Sequence, residues 1–493
     1  MSPNDNFFRA SQIGVNGSNI AYAYDADGLL TGAGNMTLTR DPCNGLVTGT
    51  ALGQIATTQS YDSFGRVSGF TAKQGATVLF DEQYQRDNAG NLTRKTVTLD
   101  GQTSVYDYAY DPAGRLTDVT KDGIATGHFE YDANGNRILA YGTIASYDDQ
   151  DRLTGFGNAQ YAYTANGELQ KITGATTASY EYDVSGNLKH VDLPNGSTLD
   201  YLADGRNRRV GKKVNGTLVQ GFLYQDQLKP AAELNGQGNV VSRFVYAGKA
   251  NVPDYMVKGG VTYRIIGDQL GSVRLVINSA TGQIAQRIDY DEWGNVLSDS
   301  NPGFQPFGFA GGLYDRDTGL VRFGARDYDS YTGRWTVKDP IGFGGGDSSL
   351  YNYVGGDPLS FIDPLGLFYF GKRPLANGNA PWIHVGSSNP LDDYFNTELS
   401  HEHGFFEDSK GGNIGFGPDG RFTEDPVGKG YRYDIKHYDD DLMREALKHI
   451  EDGKYSNLPW KKNNCQDWAE RLRKEYERLQ GTRAKNKVKC KCK

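Results

Sequence analysis

Alternation of aromatic and polar residues, interrupted at short intervals by glycine turns, is the main pattern in the first two thirds of the chain. Residues 106–110, Tyr-Asp-Tyr-Ala-Tyr, show it in its simplest form. In an extended strand, successive side chains point to opposite faces, so this alternation places the rings on one face of a β-sheet. The pattern therefore predicts strands rather than helices over this part of the chain.

The strands recur as a repeated unit: an aromatic residue, an acidic residue, a short glycine turn, then a basic or polar residue and an aliphatic one. Clear copies begin at Tyr24, Tyr61, Tyr110, Tyr131 and Tyr182, and weaker ones at Tyr84, Tyr147, Tyr163 and Tyr201. Asn-Gly, Ala-Gly and Ser-Gly pairs supply the positive backbone angles of tight turns, and Asp at the turn start can bond its own backbone. One hairpin cannot bury its aromatic face, but stacked hairpins can. We therefore expect one long, winding sheet.

Composition agrees with a thin-walled sheet, because only 37% of the residues are hydrophobic and 64 are glycine. The net charge of −8 argues against nucleic-acid binding over the whole chain, because such binding needs a basic surface. Four scattered cysteines cannot form a disulfide scaffold in a chain of this size. No stretch is apolar enough to span a membrane, and the N-terminus lacks a signal pattern, so export would need a dedicated machine.

A change of composition at residues 323–367 divides the chain into three predicted parts: a repeat shell over 1–322, a closing block over 323–367, and a C-terminal domain over 368–493. The last part shows short strands first and amphipathic helices afterwards, which predicts a small α+β domain. Its end, KNKVKCKCK, favours a frayed tail, with metal binding by the two cysteines as the alternative. Neither a metal nor a cofactor is expected elsewhere.

Two segments resemble the RHS/YD-repeat polymorphic toxins of bacteria. They are DQLGSVRLVINSATGQIAQRIDYDEWGNV at 268–296 and GLYDRDTGLVRFGARDYDSYTGRWTVKDPIGF at 312–343, followed by the DPLGL sequence that ends at Leu367. The resemblance implies a hollow β-sheet shell that encloses a C-terminal toxin. Family shells are often longer, so about 350 residues implies either a chain that begins partway through a larger protein or a partner that completes the enclosure.

The same resemblance implies a biological setting. The chain would be secreted or delivered into target cells by a dedicated system, such as type VI secretion between competing bacteria. Its expected partners are a delivery protein or secretion machinery, an immunity protein, and a target-cell protein or acyl substrate.

In that family the shell cuts the chain after the DPxGL sequence. Carried onto this chain, the cut falls between Leu367 and Phe368, and the acidic pair is Asp339 and Asp363. Two neighbouring carboxylates repel each other when both are ionised, so one keeps a proton while the other activates water. The alternative is that both Asp-Pro sequences are ordinary turns. Nearby charged residues could tune the pair, although we expect them to be solvated strand residues: Arg326, Asp327 and Arg334.

Within the C-terminal domain, Cys465 follows two asparagines at the predicted start of a helix, where the helix dipole favours a thiolate. His403, at the head of a predicted strand, is the best candidate for a general base, ahead of His401 and His384. This order resembles the permuted papain-like (NlpC-type) cysteine enzymes, whose cysteine forms an acyl-enzyme. Asn413 or Asp408 could orient the histidine.

Other functions stay open. Cys465 could be a small core residue. The domain could instead be a nuclease or nucleotide-modifying enzyme, although the basic residues from Arg471 to Lys493 favour a solvated surface and nucleic acid is an unlikely partner. The whole chain could also be a repeat scaffold or adhesin, but a scaffold has no evident need to detach its own end.

Overall fold

The computed structural model describes residues 9–249, 251–342 and 349–366, the backbone of residues 403–405, 413–417 and 420–422, and residues 475 and 478. The chain divides into two compact units, Met1–Lys372 and Arg373–Lys493, and we describe each by itself.

Within the described part of the first unit, 29 strands form one antiparallel meander in which each strand pairs with the next. Strands β1 to β10 are Gln12–Val15, Ser18–Tyr24, Leu30–Ala33, Met36–Arg40, Val47–Leu52, Ile55–Tyr61, Val67–Gln74, Thr77–Arg86, Leu92–Leu99 and Gln102–Tyr110. Strands β11 to β20 are Leu116–Lys121, Ile124–Tyr131, Arg137–Ala140, Thr143–Tyr147, Leu153–Phe156, Ala159–Tyr163, Leu169–Thr173, Ala178–Tyr182, Leu188–Asp192 and Thr198–Ala203. Strands β21 to β29 are Arg209–Val214, Thr217–Tyr224, Pro230–Asn235, Val240–Val245, Tyr255–Lys258, Val261–Gly267, Val273–Asn278, Ile284–Tyr290 and Val296–Asp299.

A smaller antiparallel sheet follows, with strands β30 to β33 at Leu313–Tyr314, Leu320–Phe323, Arg326–Asp329 and Arg334–Trp335. Single 3-10 turns accompany it, among them Phe309–Gly311 and Val354–Gly356. In the second unit, β34 to β36 (His403–Phe405, Asn413–Gly417 and Gly420–Phe422) form a three-stranded sheet. The sequence GNIGFGPDGRF at 412–422 predicts one short strand, and the structure has two there, β35 and β36. Glu475 and Arg478 are helical, and the rest of the two predicted helices lies outside the described residues.

The repeat motif is explained by its aspartate, which closes the turn. In the turn after β6, the Asp62 carboxylate accepts hydrogen bonds from the backbone N–H groups of Phe64 and Arg66, at 2.9 and 3.0 Å. The Arg66 guanidinium donates to the other carboxylate oxygen at 2.7 Å. Gly65 has φ +75°, a left-handed conformation that glycine adopts without steric cost. One and the same turn thus requires aspartate at its first position, glycine at its fourth and a hydrogen-bond donor at its fifth.

The motif tyrosine lies at a bulge and fastens its hairpin to the preceding one. The strand register shifts between Ser60 and Tyr61, and the Tyr61 hydroxyl donates to the Val47 carbonyl at 2.7 Å. Tyr131 makes the equivalent bond. Two of the weaker copies differ, because the bulge position holds Arg86 and Ala203 instead of tyrosine. Tyr84 and Tyr201 stand two residues earlier and are buried.

Late strands lie against early ones, so the long sheet winds back on itself. The Gln54 N–H donates to the Ser279 carbonyl at 2.7 Å, and the Tyr255 hydroxyl donates to the Ala33 carbonyl at 3.1 Å. The main core runs along the buried face of the repeats and includes Leu359 of the closing block. The predicted, mostly β fold with one long winding sheet is confirmed.

Candidate active site

Two Asp-Pro-X-Gly turns of the same form supply the carboxylates of the expected site. In the first, the Gly342 N–H donates to the Asp339 carbonyl at 2.9 Å; in the second, the Gly366 N–H donates to the Asp363 carbonyl at 3.3 Å. Both glycines have positive φ, +61° and +62°. Both Asp-Pro sequences therefore form turns, as the alternative interpretation expected. A turn made by the backbone still leaves each aspartate side chain able to contact another side chain.

That second contact is Arg326, at the start of β32. Its Nη2 atom lies 2.8 Å from Asp339 Oδ2 and 3.1 Å from Asp363 Oδ2. Because both oxygens contact one nitrogen atom at these distances, they lie within about 6 Å of each other. All three side chains are at least nine-tenths buried. The structure thus brings together two aspartates that are 24 residues apart in sequence.

Arg326 is itself held rigidly. Its guanidinium group packs 4.1 Å from the centre of the Trp335 ring, a cation–π contact that fixes the plane of the group. Burial lowers the pKa of Arg326, and the negative charges of Asp339 and Asp363 oppose that effect. One guanidinium between two ionised carboxylates carries one positive charge against two negative ones.

The chain leading to the expected cleavage point is anchored beside this cluster. Arg326 Nε donates to the Gly366 carbonyl at 2.5 Å, and the Ala325 N–H donates to the Leu365 carbonyl at 2.8 Å. A Cβ atom on Gly324 would lie 2.2 Å from the Leu365 carbonyl oxygen, so this close approach requires glycine. Leu367 and Phe368 lie outside the described residues, immediately after Gly366.

The expectation that Arg326, Asp327 and Arg334 are solvated is wrong, since all three are 3% exposed or less. Each is buried because it has charged or polar partners. Of the three, Arg326 contacts the aspartate pair. Asp327 instead pairs with Arg209, and Arg334 donates to Asn136 at 3.0 Å. No local sequence pattern indicates these partners, which come from distant repeats.

The residues expected to act in the C-terminal domain are largely beyond the described residues. Cys465, His401, His384 and Asp408 lie outside them, and so does the cysteine-containing tail. His403 is the first residue of β34, as predicted, and its backbone pairs with Gly415 of β35.

A sequence profile of the family described as "Teneurin YD-shell" matches residues 4–344. This chain belongs to the teneurin YD-shell family. The match ends before Asp363, so the second carboxylate and the expected cleavage point lie beyond it.

Individual relatives agree with the profile. Teneurin-3 of Danio rerio is 30% identical over 316 residues, which is 62% of this chain and 11% of the relative. The tRNA3(Ser)-specific nuclease WapA of Bacillus spizizenii is 26% identical over 290 residues, 58% of this chain and 11% of the relative. The chain therefore spans about a tenth of the length of these curated relatives.

Solved structures show the same fold. The structure titled TcdB2-TccC3-TEV matches 74% of this chain and 21% of its own, at a TM-score of 0.54 and 18% identity. The Photorhabdus luminescens Tc holotoxin pore matches 77% and 21%, at a TM-score of 0.56 and 18% identity. Together with the profile, these matches make the chain an RHS/YD-shell repeat protein.

Among the described residues, no helix has the length and apolar character needed to cross a bilayer. Nor does that part of the chain hold a group of three or more His, Cys, Asp and Glu side chains placed to bind a metal ion.

Proposed function

We propose that this chain cuts its own backbone between Leu367 and Phe368 and thereby frees residues 368–493, an enzyme carried and enclosed by the shell. One observation carries the proposal: Asp339 and Asp363 contact the same nitrogen of Arg326, whose Nε also binds the Gly366 carbonyl. The carboxylate pair and the end of the closing block are thus fixed by one side chain.

The cluster offers a complete set of groups for metal-independent hydrolysis. One carboxylate accepts a proton from water as the water oxygen attacks the carbonyl carbon of Leu367. The protonated carboxyl of the pair gives its proton to the nitrogen of Phe368 as the C–N bond breaks. Arg326 keeps the pair at a fixed separation and limits the cost of their mutual repulsion.

Electrophoresis of the purified full-length protein tests this step. We expect two pieces, of 367 and 126 residues, and a single band from Asp339→Asn or Asp363→Asn. Arg326→Lys keeps the charge but loses the planar fork, so we expect slower cleavage. Asp148→Asn is a matched control, because Asp148 is also paired with an arginine, in a distant repeat turn. A single band from the unmodified protein would contradict the proposal, as would cleavage that persists in both pair variants.

For the freed domain, a thiol hydrolase or acyltransferase with Cys465 as nucleophile and His403 as general base is the first candidate. What supports it is the position of Cys465 at a predicted helix start and that of His403 at the head of β34. A nuclease is the second candidate, favoured by the nuclease named among the relatives.

Expression of residues 368–493 in bacteria separates the candidates. Growth arrest that Cys465→Ala abolishes is expected for the thiol enzyme, whereas arrest that survives this substitution indicates a nuclease. Cys490→Ala in the same fragment is the control for nonspecific effects of cysteine loss. Normal growth with the unmodified domain would favour a scaffold instead.

The setting follows from the same proposal. A toxin-carrying shell must be secreted or delivered into its target, and its producer needs an immunity protein against the freed domain. The similarity to the TcdB2-TccC3-TEV structure supports a delivery partner for this chain. Co-purification with chains encoded beside this one would identify such a partner.

A further inference from the structure

One carboxylate of the aspartate pair belongs to the same short segment as the expected cleavage point. Asp363 lies four residues before Leu367, and the Gly366 N–H donates to the Asp363 carbonyl within one turn, at 3.3 Å. Asp339 reaches the shared nitrogen of Arg326 from a separate turn. The segment 363–366 is therefore half of the acid pair and also the end of the strand to be cut.

This segment is held by its backbone against the turn between β31 and β32. The Leu365 carbonyl accepts a hydrogen bond from the Ala325 N–H at 2.8 Å, and the Gly366 carbonyl accepts one from Arg326 Nε at 2.5 Å. The two backbones cross so closely that a Cβ atom on Gly366 would clash with the Phe323 carbonyl oxygen. The segment can leave only if both hydrogen bonds break.

The residues before the segment belong to the buried cores. Tyr353 is 1% exposed and its ring centre lies 4.3 Å from that of Tyr328, while Leu359 is 4% exposed in the main core. The Asp339 N–H donates to the Leu350 carbonyl at 3.0 Å, which ties the first aspartate turn to the same stretch of chain. Withdrawal of residues 349–366 would therefore expose apolar side chains to water and separate the two aspartates.

The chemistry of hydrolysis does not by itself limit the site to one round. One water adds across the C–N bond, and one carboxylate takes a proton from that water while the other gives a proton to the leaving nitrogen. The pair thus ends with the one proton with which it began. A limit to one round has to come from the bound segment, which leaves no room for another.

We propose that the aspartate pair acts only on the chain that contains it, and only once, because the segment that supplies Asp363 occupies the site before and after the cut. This inference rests on the proposed self-cleavage and adds its limit. The cleaved shell is not a protease for other chains, and a second copy of this chain is not its substrate.

Co-expression of two inactive variants with different affinity tags tests this limit. Asp339→Asn keeps Asp363 and a bond that can be cut, and Asp363→Asn keeps Asp339. If copies exchanged segments, Asp339 and Asp363 would meet in a mixed site and the Asp339→Asn chain would be cut. We expect no fragments beyond those from either variant alone. Asp339→Asn co-expressed with the unmodified protein should also stay whole while the unmodified chain is cut.

Dilution of the unmodified protein gives a measurement that does not depend on the folding of a variant. During cell-free synthesis at chain concentrations that differ about 100-fold, an intramolecular cut keeps the same half-time, whereas a cut between copies slows in proportion. Fragments from the mixed variants, or a half-time that lengthens on dilution, would overturn this inference and leave the cut itself in place. An unmodified chain that stays whole at every concentration would contradict the proposed function, and this inference with it.

Discussion

Replacement of Asp357 by asparagine should stabilise the shell at neutral pH. Asp357 lies in the closing block and is 1% exposed, and its Oδ1 accepts bonds from the N–H groups of Leu359 and Ser360 at 3.2 and 3.1 Å. Burial raises the pKa of its carboxyl to about 6, from an ordinary value of 3.8. Asparagine keeps an oxygen for the same two N–H groups and carries no charge.

The magnitude and sign follow from linkage. A shift of about two pKa units corresponds to about 3 kcal/mol of differential stability. Because the folded-state pKa is raised, the native state binds the proton more tightly than the unfolded chain does. The stabilisation that protonated Asp357 gives the folded state is fully present below about pH 4 and is lost as the pH rises through about 6. Asp357→Asn should therefore match the unmodified protein near pH 4 and exceed it at pH 8.

Calorimetric or fluorescence-detected thermal unfolding between pH 4 and pH 8 measures this difference. For a unit of this size, about 3 kcal/mol corresponds to a rise of a few degrees in Tm. Asp62→Asn is the control, for which we expect the opposite change in stability at pH 8. Burial tends to raise the pKa of Asp62, but hydrogen bonds from Arg66 outweigh that effect and lower it. Its asparagine variant should lose stability at pH 8 and recover toward acidic pH. A pH-independent difference for Asp357→Asn would refute the reasoning.

Two further predictions concern glycine and cysteine positions. Gly114→Ala should cost about 1 kcal/mol in the free energy of unfolding, because φ is +82° but nothing lies within 4 Å of the added methyl group. Gly294→Ala should cost several times as much, roughly 3 kcal/mol or more. The reason is that the added methyl group would lie 2.3 Å from the Phe309 ring. Equal losses of stability by the two variants in thermal unfolding would contradict this prediction. A thiol-alkylating probe at neutral pH should label Cys465 of the freed domain faster than the exposed Cys43, as peptide mass spectrometry would show; slower labelling would make Cys465 a core residue.

The repeat hairpins could be predicted from sequence because local chemistry determines them. The Asp62 carboxylate, the positive φ of Gly65 and the Arg66 donor all act within one turn, so the sequence of that turn carries the information. Two weaker copies do not follow the pattern: Arg86 and Ala203 occupy the position that tyrosine has in the clear copies, two residues after Tyr84 and Tyr201.

The ionic clusters could not be predicted in the same way. The family resemblance predicts that Asp339 and Asp363 form a pair. It does not predict that both contact Arg326, whose side chain we expected to be exposed to solvent. Likewise Asp327 pairs with Arg209, which is 118 positions away and in a different sheet. Such contacts depend on how the long sheet winds, and no local sequence pattern records that.

The central claim is that the closing block severs the chain after Leu367, and intact-mass measurement of the purified protein tests it most directly. Self-cleavage predicts two species, one ending at Leu367 and one beginning at Phe368, each of the mass calculated from the sequence. The same preparation of Asp363→Asn should show one species of full length. A single full-length mass from the unmodified protein, or fragments that begin at any other residue, would contradict the account.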